Sequence, residues 1–116
     1  MLIFDALQSH ILDVFKLPVF RAKKEVFNWL KTGEKTIDIR KSKGQRGEIA
    51  TYLSGRKVLR MKINKREIGR LDQVVREDNY KQVIPSASRM EEALEYLRQI
   101  YGSCDGDFTA YYVTTP

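Results

Sequence analysis

Three stretches of the chain carry apolar residues at helical spacing. The apolar positions are Ile3, Leu7, Ile11 and Phe15 in the first stretch, Val26, Phe27 and Leu30 in the second, and Met90, Leu94, Leu97 and Tyr101 in the third. The first stretch predicts a helical extension over residues 1–16. Gly33 is placed to end the second helix as a left-handed cap. The spacing from Ser88 to Glu91 predicts a capping box at the start of the third.

Apolar and polar residues alternate with a period of two in other parts of the chain, which predicts strands. The predicted strands are 35–40, 48–53, 57–63 and 108–113, with a short extended segment at 17–20, a Ser54-Gly55 turn and a short helix at 71–75. In the first strand Ile37 and Ile39 point one way and Asp38 and Arg40 the other, which predicts a half-buried strand. The order favours one α+β domain over residues 17–116, with a mostly antiparallel sheet curled toward a small β-barrel and helices flanking it.

The net charge of +6 is unevenly distributed along the 116 residues. Residues 21–70 carry 16 Lys or Arg against five acids, a net +11, whereas residues 71–116 carry four against eight, a net −4. Concentrated positive charge suits a polyanion, because each neutralised phosphate releases counterions. A solvated lysine-rich surface is the alternative explanation.

Several classes of protein are disfavoured by composition. One cysteine excludes an internal disulfide, and Cys104 with His10 is too little for a zinc site, so no metal or cofactor is expected. No apolar run approaches the roughly 20 residues that span a bilayer. The apolar stretch at the N-terminus does not follow a basic region, as the apolar part of a signal peptide would. A cytoplasmic protein without a membrane partner is the expectation.

The stretch with the most chemical information is Gly33-x-Lys35-x-x-Asp38-x-Arg40. Period-two spacing places Asp38 and Arg40 on one strand face, about 7 Å apart, and Lys35 at the strand entrance. A carboxylate between two cations stays ionised and can orient them toward a phosphate. A purely structural Asp38–Arg40 pair is the competing interpretation.

This stretch resembles the G-x-K-x-x-[ED]-x-R motif of the ASCH (activating-signal-cointegrator homology) domain. The likeness extends over residues 17–114: Gly47-Glu48 opens the next strand, a hairpin follows, and Ile84-Pro85 precedes a helix that ends in Ile100-Tyr101. The resemblance implies a PUA-like β-barrel with a cleft beside the motif strand, and either RNA binding or hydrolysis. One similar branch hydrolyses acetylated cytidine and another cleaves RNA. In the amidohydrolase branch the lysine is paired with a threonine, whose place Asp38 takes, and with a downstream glutamate, where Pro85 or Ser86 stands here.

The sequence therefore predicts an RNA- or nucleotide-binding domain, and alternatively a hydrolase acting on RNA or a modified nucleoside with Lys35 and Asp38 as catalytic residues. The predicted nucleic-acid contacts are Lys35, Asp38, Arg40, Lys41, Lys43, Arg46, Arg60, Lys62 and Tyr52, the last as a stacking platform. A monomer or weak dimer is expected. The N-terminal stripe either folds back over one end of the barrel or forms a dimer interface.

Overall fold

The five strands of the sheet are spread along the chain from Val19 to Thr114. A computed structural model describes residues 18–42 and 44–116. The strands are β1 (Val19–Arg21), β2 (Ile37–Arg40), β3 (Ile49–Ser54), β4 (Lys57–Gly69) and β5 (Phe108–Thr114). The helices are α1 (Lys24–Thr32), α2 (Leu71–Val74), α3 (Tyr80–Val83) and α4 (Met90–Tyr101). The predicted extension at 1–16 lies outside the described residues.

The five strands form one curled sheet in the order β1-β3-β4-β5-β2. β1 pairs with β3 in parallel, and the three remaining pairs are antiparallel. The α+β class and the mostly antiparallel, barrel-like sheet are thus confirmed. Because β1 and β2 are the two ends of the order, the sheet is a half-barrel whose edges face each other without a backbone ladder.

Apolar side chains cover both faces of the sheet. On one face α1 packs Val26, Phe27 and Leu30 against β1, β3, β4 and β5. On the other face the helices α2, α3 and α4 cover Ile37, Ile39, Phe108 and Ala110. Strand β2 therefore has a core on each side, and the prediction that it is half-buried is wrong: Asp38 is only 3% exposed.

Most predicted boundaries agree with the observed ones to within two residues, and the main differences concern the end of β4 and the cap of α4. β4 continues six residues past Ile63, because an irregularity between Ile63 and Lys65 shifts the register and lets pairing with β5 resume. Helix α4 begins at Met90 with Arg89 as its N-cap, so the predicted Ser88 cap is wrong. Instead, the Glu92 carboxylate accepts a bond of 3.1 Å from the Ser88 backbone N–H.

The turn from α1 to β2 follows the sequence pattern. Gly33 adopts φ 84°, and its N–H donates to the Leu30 carbonyl at 3.3 Å. The Lys35 N–H then donates to the Trp29 carbonyl at 3.0 Å, and the Thr36 N–H to the Gln82 carbonyl at 3.1 Å. These bonds fix the entrance of β2 between α1 and α3. In the described ranges, no helix has both the length and the apolar character needed to cross a bilayer.

Candidate functional site

A cavity of about 80 Å³ opens between the two edge strands of the sheet and helix α4. Its lining includes the three motif side chains Lys35, Asp38 and Arg40. The remaining lining residues are Arg21, Ala22, Lys23, Val26, Ile39, Ile84, Tyr96, Leu97, Ile100 and Tyr101. The structure thus brings the predicted motif residues together at one place, and it adds cations and aromatic rings from β1, α4 and the start of α1.

Lys35 is buried, with 3% of its surface exposed. Its ammonium group donates to the Ile37 carbonyl at 2.8 Å and to the Val83 carbonyl. Burial lowers the pKa of Lys35 from 10.5 to about 8; the Asp38 carboxylate opposes this shift, and the Arg40 guanidinium adds to it. Two acceptors for three N–H groups leave one N–H of the protonated form for another partner.

Asp38 is held by two donors inside the half-barrel. The Arg40 Nε donates to its Oδ2 at 2.8 Å, and the Tyr52 hydroxyl donates to the same oxygen at 3.0 Å. Tyr52 is 0% exposed and its pKa lies well above 10, chiefly because burial disfavours the phenolate and also because Asp38 is close. The ring of Tyr52 therefore faces the core, and a stacking platform at this position is not what the structure shows.

Arg40 closes the seam between the two sheet edges. Its Nη1 donates to the Arg21 carbonyl of β1 at 3.0 Å, while its Nε remains on Asp38 of β2. The guanidinium carbon lies 4.5 Å from the centre of the Phe20 ring, within cation–π range. Arg40 thus connects β1 and β2 where no backbone ladder joins them. The planar guanidinium, with several N–H donors, can bond to both strands at once, which a lysine ammonium does less well.

Two aromatic residues of α4 complete the lining. The Tyr101 hydroxyl donates to the Ile39 carbonyl at 2.5 Å, and burial raises the pKa of Tyr101 to about 12. The Tyr96 hydroxyl donates to Glu25 at 2.6 Å, and its ring lies 5.5 Å from the Lys23 ammonium. Tyr96 is partly exposed, so its ring is the aromatic surface that the pocket mouth offers.

The other predicted contact residues that the structure describes do not line the cavity. Arg60 and Lys62 are exposed on β4, on the side opposite Met61 and Ile63, and do not line the pocket. Lys41 is exposed and reaches the Ser103 carbonyl at 3.4 Å. Arg46 is exposed in the loop after β2, and Lys43 lies outside the described residues.

The basic loop after β2 is fastened to the sheet. Arg66 donates to the carbonyls of Gln45, at 2.9 Å, and Gly47. The Gln45 N–H donates to the Tyr111 hydroxyl at 2.8 Å. Gly44 has φ 89°, and a Cβ there would meet the Thr109 Oγ1 at 3.2 Å. The backbone of residues 44–47 is therefore held against β4 and β5.

Sequence reasoning missed Arg21, Lys23, Tyr96 and Tyr101 as pocket residues. The basic residues at the start of α1 were visible in the sequence, but nothing in it shows that β1 and β2 become facing edges. Among the described residues, no group of three or more His, Cys, Asp or Glu side chains is arranged to hold a metal ion.

Comparison with known proteins gives one structural likeness. The crystal structure of the hypothetical protein PH0355 matches with a TM-score of 0.69 and 18% sequence identity, over 82% of this chain and 94% of that chain. At this identity the likeness shows a shared fold alone. No protein-family model matches the chain, and no curated protein matches it.

Proposed function

We propose that this pocket binds RNA or a nucleotide. The observation that carries the proposal is that Lys35, Asp38 and Arg40, which are spread along the motif, line one cavity together with Arg21 and Lys23. The lining therefore has four cationic side chains against one carboxylate. An excess of positive charge around a partly apolar cavity favours a ligand that has phosphates and a flat ring.

The size of the cavity limits what enters it. A cavity of about 150 Å³ holds a benzene molecule, whereas this one has about 80 Å³. A compact group or one edge of a nucleobase fits inside. The rest of the nucleotide then lies across the mouth, where Arg21 and Lys23 are exposed for phosphate contacts and Tyr96 offers its ring.

The proposal includes membership of the PUA-like superfamily as an ASCH-type domain. Its support is the motif on β2 beside a cleft, together with the curled, mostly antiparallel sheet.

Binding of a labelled single-stranded RNA, followed by fluorescence anisotropy over a range of salt concentrations, tests the proposal. Arg21→Ala and Lys23→Ala each remove an exposed pocket cation, and Lys31→Ala is the matched control at the far end of α1. We expect each pocket variant to weaken binding at low salt and to reduce the slope of log K against log salt by about 0.7. Absence of RNA binding at low salt, or equal slopes for all three variants, would refute the proposal.

A second candidate function, hydrolysis of RNA or of a modified nucleoside such as acetylcytidine, is favoured by the lowered pKa of Lys35. At a pKa of about 8, roughly one Lys35 in ten is neutral at pH 7 and can accept a proton. The Asp38 carboxylate, oriented by Tyr52 and Arg40, is the neighbouring group that would stabilise the ammonium formed.

Incubation with labelled RNA and with acetylcytidine, with and without a divalent cation, tests this second candidate. Hydrolysis that rises as pH approaches 8 and is lost in Lys35→Met supports it. Turnover no greater than that of Lys35→Met excludes it, and RNA binding can persist in that case.

A further inference from the structure

The open edge of strand β2 presents a row of backbone groups to the pocket. The Val113 N–H donates to the Thr36 carbonyl at 2.9 Å, which fixes the phase of the antiparallel ladder with β5. Hydrogen-bonded pairs recur every second residue. The backbone groups of Asp38 therefore bond to Tyr111 of β5, and those of Ile37 and Ile39 point away from β5.

Both outward carbonyls of this edge have donors. The Lys35 ammonium donates to the Ile37 carbonyl, and the Tyr101 hydroxyl donates to the Ile39 carbonyl. These two bonds agree with the phase of the ladder. Between the two carbonyls along the same edge lies the Ile39 N–H.

The Ile39 N–H points toward this open edge as well, because the phase of the ladder turns it away from β5. Ile39 is only 2% exposed, and it lines the cavity with Lys35 and Tyr101. Native proteins pair more than about nine in ten of their buried backbone N–H groups, so an N–H that faces a pocket wall outside its own ladder is a natural donor to a ligand or water oxygen.

We propose that the Ile39 N–H and the remaining N–H of Lys35 form a two-donor site for the exocyclic carbonyl oxygen of a nucleobase. This inference rests on the proposed nucleotide binding and specifies which base edge enters the cavity. A carbonyl oxygen has two lone pairs and can accept from both donors, whereas a ring nitrogen has one. Uracil, cytosine and guanine carry such an oxygen, and adenine does not.

The surrounding residues fit this assignment. The Tyr101 hydroxyl uses its proton on the Ile39 carbonyl and keeps lone pairs for an N–H next to the base carbonyl. Ile84, Leu97 and Ile100 supply an apolar lining for the ring edge. The ribose and phosphate remain outside the cavity, so the contacts of Arg21 and Lys23 with the phosphate are the same for all four nucleotides. Only the base edge that enters the cavity distinguishes one nucleotide from another.

The test compares uridine and adenosine 5′-monophosphates, which share ribose and phosphate. Each is titrated into the ¹⁵N-labelled full chain while amide signals are followed by NMR. We expect the Ile39 amide proton to move downfield with the uridine nucleotide, which binds about tenfold more tightly than the adenosine nucleotide. The Asp38 amide, which is bonded to β5, is the internal control and moves much less.

A second variant tests the role of the lysine. Lys35→Met removes one donor, so we expect the uridine nucleotide to lose most of its advantage over the adenosine nucleotide. Equal affinities for the two nucleotides in the wild type, with the Ile39 amide unmoved, overturn this inference and leave nucleotide binding intact. Failure of both nucleotides and of RNA to bind would instead refute the proposed function itself.

Discussion

The buried lysine of the pocket makes the stability of the protein depend on pH in a way that can be worked out. Lys35 has a pKa of about 8 in the fold against an ordinary value of 10.5, chiefly because burial disfavours its charged form. At any pH between these two pKa values, Lys35 is mostly protonated in the unfolded chain and mostly neutral in the folded one. Stability therefore rises with pH in the window from about 8 to 10.5, since raising pH removes a charge that only the folded state finds costly.

The size of the effect follows from the two pKa values. Each pKa unit corresponds to about 1.4 kcal/mol, so protonated Lys35 opposes folding by about 3 kcal/mol at pH well below 8. Between pH 7 and pH 9 the folded protein releases most of this proton and the unfolded chain keeps it. We expect the free energy of unfolding to rise by about 1 kcal/mol over that interval because of Lys35.

Urea unfolding at pH 7 and pH 9, followed by the fluorescence of the single tryptophan, Trp29, measures this difference. The comparison is with Lys35→Met, which keeps an unbranched side chain of similar length without a titratable group. Lys23→Met is the control, because it makes the same substitution at an exposed lysine and leaves Lys35 in place. If wild type and Lys35→Met gain the same stability from pH 7 to pH 9, the burial argument is wrong.

Three further substitutions test the supports of the site. Tyr52→Phe removes the 3.0 Å bond to Asp38, and we expect a loss of about 2 kcal/mol in urea unfolding; a loss near zero would contradict this role. Gly33→Ala forces a side chain into φ 84° with nothing within 4 Å of the new Cβ, so the cost of about 1 kcal/mol is purely conformational and appears as a lower urea midpoint with an unchanged slope. Arg66→Gln frees the loop, so the Gln45 amide exchanges about tenfold faster while RNA affinity stays within about twofold; unchanged exchange would show that Arg66 does not hold the loop.

Local patterns in the sequence predicted most of the elements. The helical stripe of Val26, Phe27 and Leu30 is buried, Gly33 has the left-handed conformation that its position indicates, and the period-two segments form strands. These features depend on residues within one or two turns of each other, so spacing alone determines them. The Gly33–Arg40 stretch was likewise recognisable as the centre of a candidate site, and its residues Lys35, Asp38 and Arg40 do line one cavity.

Burial inside the site depended on contacts distant in sequence. The alternation of β2 suggested that Asp38 faces water, but α1 and the neighbouring strands cover that side, and Tyr52 arrives from β3 to bond to it. Lys35 is enclosed because Val83, 48 residues away, brings its carbonyl to the ammonium group. A pattern along the chain does not include such partners, so neither the buried carboxylate nor the lowered pKa of the lysine could be read from it.

The sequence by itself determined most of the secondary structure of the described residues and the Gly33–Arg40 motif that lines the candidate pocket. Only the tertiary structure decided that β1 and β2 become facing edges, that Arg40 joins them, and that the Ile39 N–H points away from β5. The physical reason is that strand order and the phase of a ladder are set by pairing between segments far apart in the chain. The chemistry of the pocket depends on the backbone groups of Ile37 and Ile39, which this pairing directs away from β5.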